Sequence, residues 1–243
     1  VYVDACSLPG SGIMAADPSL VGSLDDLAKV GAESSTAGEE SCSLAGKYLQ
    51  TANISGVDTN STPALIVAGT FSGTYDGNHY GISYTSGSTF QDREPLFEEL
   101  SGTVQKLSLT GTIRSDTTRV SSLVEYLVGG TISEVGSSVQ IYVEDSDAII
   151  GGLAAVAGDN MDSDEMYGTF DGTDDIENQS SYIRYSKFTG RLEWDDTSTV
   201  TEGPIIGGLV GSARGTGTTE IRDSYARAYI RFDSSGLTSA IND

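Results

Sequence analysis

Residues Ile205–Phe232 read IIGGLVGSARGTGTTEIRDSYARAYIRF, and the spacing of their apolar residues recurs three times earlier in the chain. Ile221 and Ile230 lie nine residues apart, and three upstream pairs keep that spacing: Ile183 with Leu192, Ile132 with Ile141, and Val104 with Ile113. Two alternate positions ahead of the second member hold small or apolar residues in almost every copy. A period of two, repeated in register, is typical of strands that stack coil upon coil, with the apolar row turned into a shared core. We therefore predict an all-β fold, a right-handed parallel β-helix.

In such a shared core, we expect Ile221 and Ile230 to be buried like their counterparts. Trp194 occupies the position of Phe232, two residues beyond the second member of the pair, and is expected to face the core rather than form a sugar-stacking surface.

One coil carries an insertion. A leucine precedes each copy of the repeat: Leu96, Leu123, Leu153 and Leu209. From Leu153 to Ile183 the chain takes 30 residues, whereas from Leu209 to Ile221 it takes 12, an excess of 18. Stacked coils tolerate extra residues only at their corners, so the excess should form a projecting loop at about 158–181. Loops on one side of a solenoid commonly bind partners, which makes this segment our predicted location of function.

The N-terminal part is predicted to cap the first coil. Ser23-Leu-Asp-Asp26 offers an N-cap and acidic first-turn residues, and Leu24, Leu27 and Val30 would share one helical face. The first coil of a solenoid exposes a hydrophobic end that needs covering. We predict residues 1–64 as a cap segment with a short helix over 23–31 and the first strands, and residues 65–243 as the β-helix repeats.

The charge of the chain is extreme. It has 35 acidic residues against 13 basic ones, a formal net charge of −22. This makes nucleic acid an unlikely partner class, because nucleic-acid-binding proteins neutralise phosphates with basic patches. Self-repulsion that keeps the protein soluble is one explanation of the acidity. The other is a high-salt environment, where a Debye length of about 3 Å at 1 M screens that repulsion.

Several weaker features favour an extracellular location. No run of 18 apolar residues exists, so no membrane span is predicted. The chain begins at Val1, which suits either a processed secreted protein or a fragment. Cys6 and Cys42, the two cysteines, are expected to form a disulfide, with two free thiols as the alternative. Three Asn-x-Ser/Thr sequons are candidate glycosylation sites: Asn53, Asn60 and Asn178.

Three stretches resemble a known family. FSGTYDGNHYGIS at 71–83, PLFEELSGTVQKLSLTGTI at 95–113 and the segment from Ile205 to Ile230 are similar to GLUG-motif repeats of microbial surface proteins, including the region before the protease domain of IgA1-protease-like proteins. The copies at Leu96 and Leu123 lack the GGLVG core of the motif. The resemblance implies a β-helical extracellular stalk or adhesin-like module.

The chain has few histidines and cysteines, residue types that commonly carry out catalysis. His79 is the only histidine, which excludes most nucleophile–histidine arrangements and multi-histidine metal sites, and no catalytic residue is predicted. The insertion concentrates carboxylates that could bind calcium, with a solvated acidic loop as the alternative. Tyr167 and Phe170, in the same segment, are the candidate ligand-binding residues. The candidate calcium ligands are Asp159, Asp162, Asp164, Asp171, Asp174 and Asp175.

These features predict a non-enzymatic surface module, an adhesin or a virion spike or fibre, that attaches to a cell-surface glycan or protein receptor. A polysaccharide-cleaving β-helix enzyme is the main alternative, disfavoured because no cluster of basic residues lies beside the carboxylates in the sequence. A subunit of an extracellular filament, and thus a homo-oligomer or part of a larger fibre or virion, is the third. No cofactor is predicted apart from the calcium described above.

Overall fold

The computed structural model describes residues 18–31, 42–58, 67–91, 94–158, 180–195, 204–214 and 218–233. These ranges form strands of two to eight residues and one single-turn helix. In chain order the elements are β1 (Ser19–Val21), α1 (Leu24–Leu27), β2 (Lys47–Gln50), β3 (Ile54–Val57), β4 (Val67–Phe71), β5 (Thr74–Asp76), β6 (Gly81–Tyr84), β7 (Phe97–Leu100), β8 (Thr103–Gln105), β9 (Ser108–Ser115), β10 (Arg119–Val120), β11 (Val124–Leu127), β12 (Thr131–Ser133), β13 (Gly136–Ser137), β14 (Gln140–Val143), β15 (Ile149–Gly151), β16 (Ala154–Gly158), β17 (Ser181–Arg184), β18 (Lys187–Phe188), β19 (Arg191–Asp195), β20 (Ile205–Gly207), β21 (Val210–Arg214), β22 (Thr219–Arg222), β23 (Tyr225–Ala226) and β24 (Tyr229–Asp233).

The strands form four sheets in which neighbours are far apart in sequence. Sheet 1 has the order β1-β2-β5-β8-β12-β17-β22, and sheet 2 has the order β23-β18-β13-β9-β14-β19-β24, with β6 added on β9 and β3 on β6. Sheet 3 is β10-β15-β20, and sheet 4 is β21-β16-β11-β7-β4. Pairing between these strands is parallel, as between β12 and β17 or β14 and β19. The predicted all-β class with parallel sheets is confirmed.

The chain visits the sheets in a repeating order. From β12 in sheet 1 it passes through β13 and β14 in sheet 2, β15 in sheet 3 and β16 in sheet 4, and then returns to sheet 1 at β17. Each circuit places a strand beside its counterpart from the previous circuit. We call one such circuit a coil. Parallel pairing between successive coils explains why equivalent residues recur at coil-length intervals.

The anchor residues line up in the structure as their spacing predicts. Val104, Ile132, Ile183 and Ile221 pair in one row, and Ile113, Ile141, Leu192 and Ile230 pair in another. The first three members of each row are at most 2% exposed. Ile221 and Ile230 are 46% and 43% exposed, so the expectation that the last pair is buried was wrong. The reason is positional: the strands β20–β24 that form this coil lie at the ends of their sheets, with no described coil stacked on them.

Trp194 fills the core beneath this exposed end. It pairs in register with Phe232, as its position in the repeat predicts, and is 1% exposed. Its Nε1 donates a hydrogen bond of 2.8 Å to the main-chain oxygen of Asp145. The Phe232 ring packs edge-on at 6.4 Å between centroids. The predicted core position of Trp194 is confirmed.

The insertion leaves the coils at the corner between sheets 4 and 1. β16 ends at Gly158 and β17 begins at Ser181. In earlier coils the same corner is tight: a Cβ at Gly102 would lie 2.1 Å from the Gly73 oxygen, and a Cβ at Gly73 would lie 2.0 Å from the Gly46 oxygen. Only glycine fits such stacked corners. Residues 159–179 lie outside the described residues, so the projecting loop stays a prediction.

The N-terminal helix is shorter than predicted. Only Leu24–Leu27 is helical, capped by Ser23, whose Oγ accepts from the Asp26 N–H at 3.2 Å. A helix over 23–31 is not supported, because Val30 instead forms a parallel bridge with Cys42. β2 stacks directly on β5, in the same sheet as the later repeats. The domain boundary at 64/65 stays a prediction. No helix of the described part of the chain is long and apolar enough to cross a bilayer.

Candidate functional site

Most of the site residues predicted from sequence lie outside the described residues. These are Tyr167, Phe170, the six aspartates Asp159, Asp162, Asp164, Asp171, Asp174 and Asp175, the sequon residues Asn60 and Asn178, and Cys6. Calcium binding, ligand binding by the insertion and the Cys6–Cys42 pairing therefore stay predictions. Within the described ranges, no group of three or more His, Cys, Asp or Glu side chains is placed to hold a metal ion.

Three residues singled out in the sequence are described. Asn53 is exposed just before β3, and its Oδ1 accepts from the Gly81 N–H at 2.7 Å. Cys42 is 2% exposed and is not a free thiol. His79 has a φ of 64° in a tight turn and donates its main-chain N–H to the Lys106 oxygen. The geometry gives His79 a role in the turn.

A different surface emerges where β9, β14, β19 and β24 run side by side in sheet 2. Their core-facing residues alternate with residues that point outward. One outward row is Arg114, Tyr142, Glu193 and Arg231, and the other is Thr112, Gln140, Arg191 and Tyr229. We call these eight residues the arginine–tyrosine face.

Arginine and tyrosine side chains stack along this face in the direction of the coil axis. The Arg114 guanidinium carbon lies 4.2 Å from the centre of the Tyr142 ring, and that of Arg191 lies 5.6 Å from the same ring. Arg191 is also 5.1 Å from the centre of the Tyr229 ring. Cation–π contacts of this kind stabilise by about 0.5–1 kcal/mol each at exposed sites. The stack therefore holds two tyrosine rings in fixed positions on the surface.

Glu193 anchors the arginines of the later coils. Its side chain is 10% exposed and forms ion pairs with Arg191 and with Arg231, the latter at 3.2 Å. The Tyr142 hydroxyl donates to Gln140 Oε1 at 3.0 Å. Two planar rings flanked by fixed amide, carboxylate and guanidinium groups form a surface that can contact the apolar face of a ligand and hydrogen-bond its edges.

An acidic row borders the face. Asp116, Glu144 and Asp195 each lie two residues after a member of the outward row, namely Arg114, Tyr142 and Glu193. The eight residues of the face carry three arginines and one glutamate, a net charge of +2, and these three carboxylates bring the sum to −1. The face together with its acidic border is therefore not a basic patch. An anionic ligand would meet repulsion at this edge.

A second cluster lies where sheet 4 faces sheet 3. Arg119 Nη1 is 3.8 Å from Glu125 Oε1, and the Arg119 guanidinium lies 5.2 Å from the centre of the Tyr126 ring. Burial, followed by the nearby charge of Glu94, raises the pKa of Glu125 from 4.5 to about 7; Arg119 opposes this shift and Glu98 adds to it. Burial also raises the pKa of Tyr126. A carboxyl group that keeps its proton near neutral pH could act as a general acid.

The raised pKa of Glu125 predicts a pH-dependent stability. Because the folded pKa lies above the unfolded one, the native state keeps a proton that the unfolded chain releases, so stability falls as pH rises from about 4.5 to 7. Glu125→Gln should remove this fall, which amounts to at most about 3.5 kcal/mol at about 1.4 kcal/mol per pKa unit. Urea unfolding at pH 5 and pH 7.5 measures it. Glu144→Gln, at an exposed position, is the control, and a parallel pH response of the Glu125→Gln and parent proteins would contradict the prediction.

The sequence argument that no cluster of basic residues lies beside the carboxylates does not hold at Glu193. Arg191 and Arg231 converge on Glu193, and Arg119 lies beside Glu125. The pairing of Glu193 with Arg231 joins residues 38 positions apart, because stacking of coils brings them together. A signal existed in the sequence: Arg114, Tyr142, Glu193 and Arg231 each directly follow the second anchor of their copy.

Comparison with known proteins extends to the fold only. No protein-family model and no curated protein matches the chain. Among solved structures it is similar to a Bacteroides ovatus protein named "putative immunoglobulin A1 protease", whose crystal structure is at 1.30 Å resolution. The TM-score is 0.51 at 15% sequence identity, over 92% of this chain and 70% of that one. The predicted likeness to IgA1-protease-like proteins is therefore shown for the fold, while the GLUG motif stays a prediction.

Proposed function

We propose that the protein is an extracellular attachment module, built as a right-handed parallel β-helix, that binds a neutral glycan on its arginine–tyrosine face. The circuit through the four sheets and the stacking of equivalent strands support the β-helix. The distant structural neighbour is compatible with it. The observation that carries the binding proposal is the stack of Tyr142 and Tyr229 with Arg191 between them.

The chemistry of the face suits sugars. Tyr229 is 61% exposed, so its ring can lie against the C–H face of a pyranose. Arg191, Gln140 and Glu193 supply hydrogen-bonding groups at fixed positions beside it. Tyrosine and arginine are also the residue types enriched where proteins bind partners. A linear glycan can run along the coil axis and contact successive coils, whose strands lie about 4.8 Å apart.

The charge decides between glycan classes. The chain carries −22 in total, and the acidic row borders the face, so polysaccharides bearing carboxylates or sulfates would be repelled. Neutral glycans avoid this cost. Because hydrogen bonds and ring stacking do not depend on net charge, binding of a neutral glycan should also persist in molar salt. A high-salt environment, inferred from the acidity of the chain, would then not prevent attachment.

We expect Tyr229→Ala to weaken binding to a neutral polysaccharide by about tenfold, because it removes a ring that would stack on the sugar. Affinity electrophoresis in gels containing dextran, mannan or galactan measures the effect. Tyr225→Ala is the matched control, since Tyr225 is a similarly exposed tyrosine, at 55%, on β23 in the other half of sheet 2. Equal retardation of both variants and the parent in every neutral gel, or retardation by acidic polysaccharides alone, would contradict the proposal.

A polysaccharide-cleaving enzyme is the second candidate. The supporting observation is the side chain of Glu125, whose pKa is raised. It lies beside the guanidinium of Arg119, and the carboxylates Glu94 and Glu98 act on it electrostatically. Glycoside hydrolysis uses one protonated and one ionised carboxyl group on either side of the scissile bond. Release of reducing ends from neutral polysaccharides by the parent protein, lost in Glu125→Gln, would favour this function. Binding without any shortening of the chains would favour the attachment module.

A further inference from the structure

The last coil presents an apolar surface at one end of the stack. Ile221, Ile230 and Phe232 continue the core rows of the preceding coils, yet they are 46%, 43% and 56% exposed. We call these three residues the end face. The strands around them, β20–β24, are the terminal strands of all four sheets, so their outer edges have no strand partner among the described residues. Exposed apolar side chains beside open strand edges favour association with another chain.

The opposite end of the stack is different. There α1 packs against β1 and β3, and Leu27 is 2% exposed. Every large hydrophobic residue that is exposed in the described ranges lies in β22–β24, except Tyr185. The described residues of the first coil thus offer no matching apolar surface, and a head-to-tail stack of copies would pair unlike surfaces. Among the described surfaces, the end face is matched only by itself.

The charge around the end face supports pairing with a second copy. Residues 218–233 contain three arginines, Arg222, Arg227 and Arg231, and three acidic residues, Glu220, Asp223 and Asp233, so their net charge is zero. All of the formal charge of −22 therefore resides elsewhere in the chain. Two copies of so acidic a protein repel least when they approach at a neutral surface.

We propose that two copies of this protein pair through their end faces in a closed, two-fold symmetric dimer. A two-fold interface uses the same surface on both copies and leaves no further site open, so assembly stops at two. The apolar residues form its centre, and the arginines and carboxylates of the last coil lie around it, where each can pair with an opposite charge on the second copy. This proposal is independent of glycan binding.

Sedimentation velocity of the full chain over a range of concentrations tests the proposal. We expect a monomer–dimer equilibrium, and Phe232→Asp should raise its dissociation constant by at least about tenfold because a charge would enter the apolar centre. The circular dichroism of this variant should match the parent, since Phe232 is more than half exposed. In molar NaCl, where added charge is screened, Tyr225→Asp on the outward side of the last coil should leave the dimer intact, whereas Phe232→Asp should still weaken it.

A second variant separates association from folding. Arg227 is exposed, and Arg227→Glu changes the net charge of residues 218–233 from zero to −2 without touching the apolar residues. It should weaken the dimer in dilute buffer and recover in molar NaCl, where charge repulsion is screened. A parent protein that is monomeric at all concentrations and salt levels would overturn the proposal. So would open-ended oligomers, or a dimer that both Phe232→Asp and Arg227→Glu leave unchanged.

Discussion

Ile132→Asp should abolish cooperative folding. Ile132 is fully buried in the middle of a row in which Val104, Ile183 and Ile221 are its equivalents. A carboxylate there has no partner in the apolar core. The free-energy cost of desolvating it exceeds the free energy of unfolding of a typical domain, unless the group is protonated or is exposed by unfolding. Urea denaturation followed by far-UV circular dichroism is the measurement. A broad, non-cooperative transition or the absence of a folded baseline is the expected result.

The same substitution at the end of the row provides the matched control. Ile221→Asp changes the same residue type in the same row, but Ile221 is 46% exposed, so its carboxylate can stay hydrated. It should cost about 1–2 kcal/mol and leave the transition cooperative. If Ile132→Asp and Ile221→Asp were equally damaging at concentrations where the protein is monomeric, the last coil would have to be covered within the monomer, and the exposed end face would be wrong. If both were tolerated, the register of the coils would be wrong.

The repeat made the core rows predictable. A period of two fixes which side of a strand faces inward, and the recurring nine-residue pairs fix how the coils align. The row from Val104 to Ile221 follows from these two facts alone. The same pattern cannot reveal which coil lies at an open end, because inward-facing positions look alike in every copy. Ile221 and Ile230 were therefore expected to be buried, although no described coil covers them.

The outward residues were harder to predict because they do not repeat. Arg114, Tyr142, Glu193 and Arg231 occupy one row but have different side chains, so no periodic pattern draws attention to them. Their contacts exist only between coils, and a list of local motifs does not contain them. Alignment of the copies would have placed them side by side. The raised pKa of Glu125 likewise depends on Glu94 from an earlier coil and on burial.

The short N-terminal helix shows the limit of local signals. Ser23 caps α1 as predicted, and Asp26 accepts from the Ser23 hydroxyl at 2.8 Å. The cap alone does not set the length of a helix. Because Val30 pairs with Cys42, the parallel bridge replaces the remaining predicted turns. Tertiary pairing thus overrides a helical pattern that the sequence supports only over a few residues.

Trp194→Ala should destabilise the protein by about 3–5 kcal/mol, the usual range for removing a buried tryptophan. The side chain is 1% exposed, and its removal would leave a cavity between the preceding coil and the last one. It would also remove the indole N–H that donates to the Asp145 oxygen at 2.8 Å. Urea denaturation of the variant and the parent gives the change in the free energy of unfolding, provided that the two proteins have the same dependence of that free energy on urea concentration.

Two further variants divide this effect into its parts. Trp194→Phe keeps most of the buried ring and removes the hydrogen bond, so it should cost about 1–2 kcal/mol, within the range for an unsatisfied buried acceptor. Phe232→Ala truncates the aromatic residue in register with Trp194, and at 56% exposure it should cost less than Trp194→Ala by at least about 2 kcal/mol. Equal losses at Trp194 and Phe232, measured at concentrations where the protein is monomeric, would mean that the two residues are equally buried within the monomer, which would contradict the exposed end face.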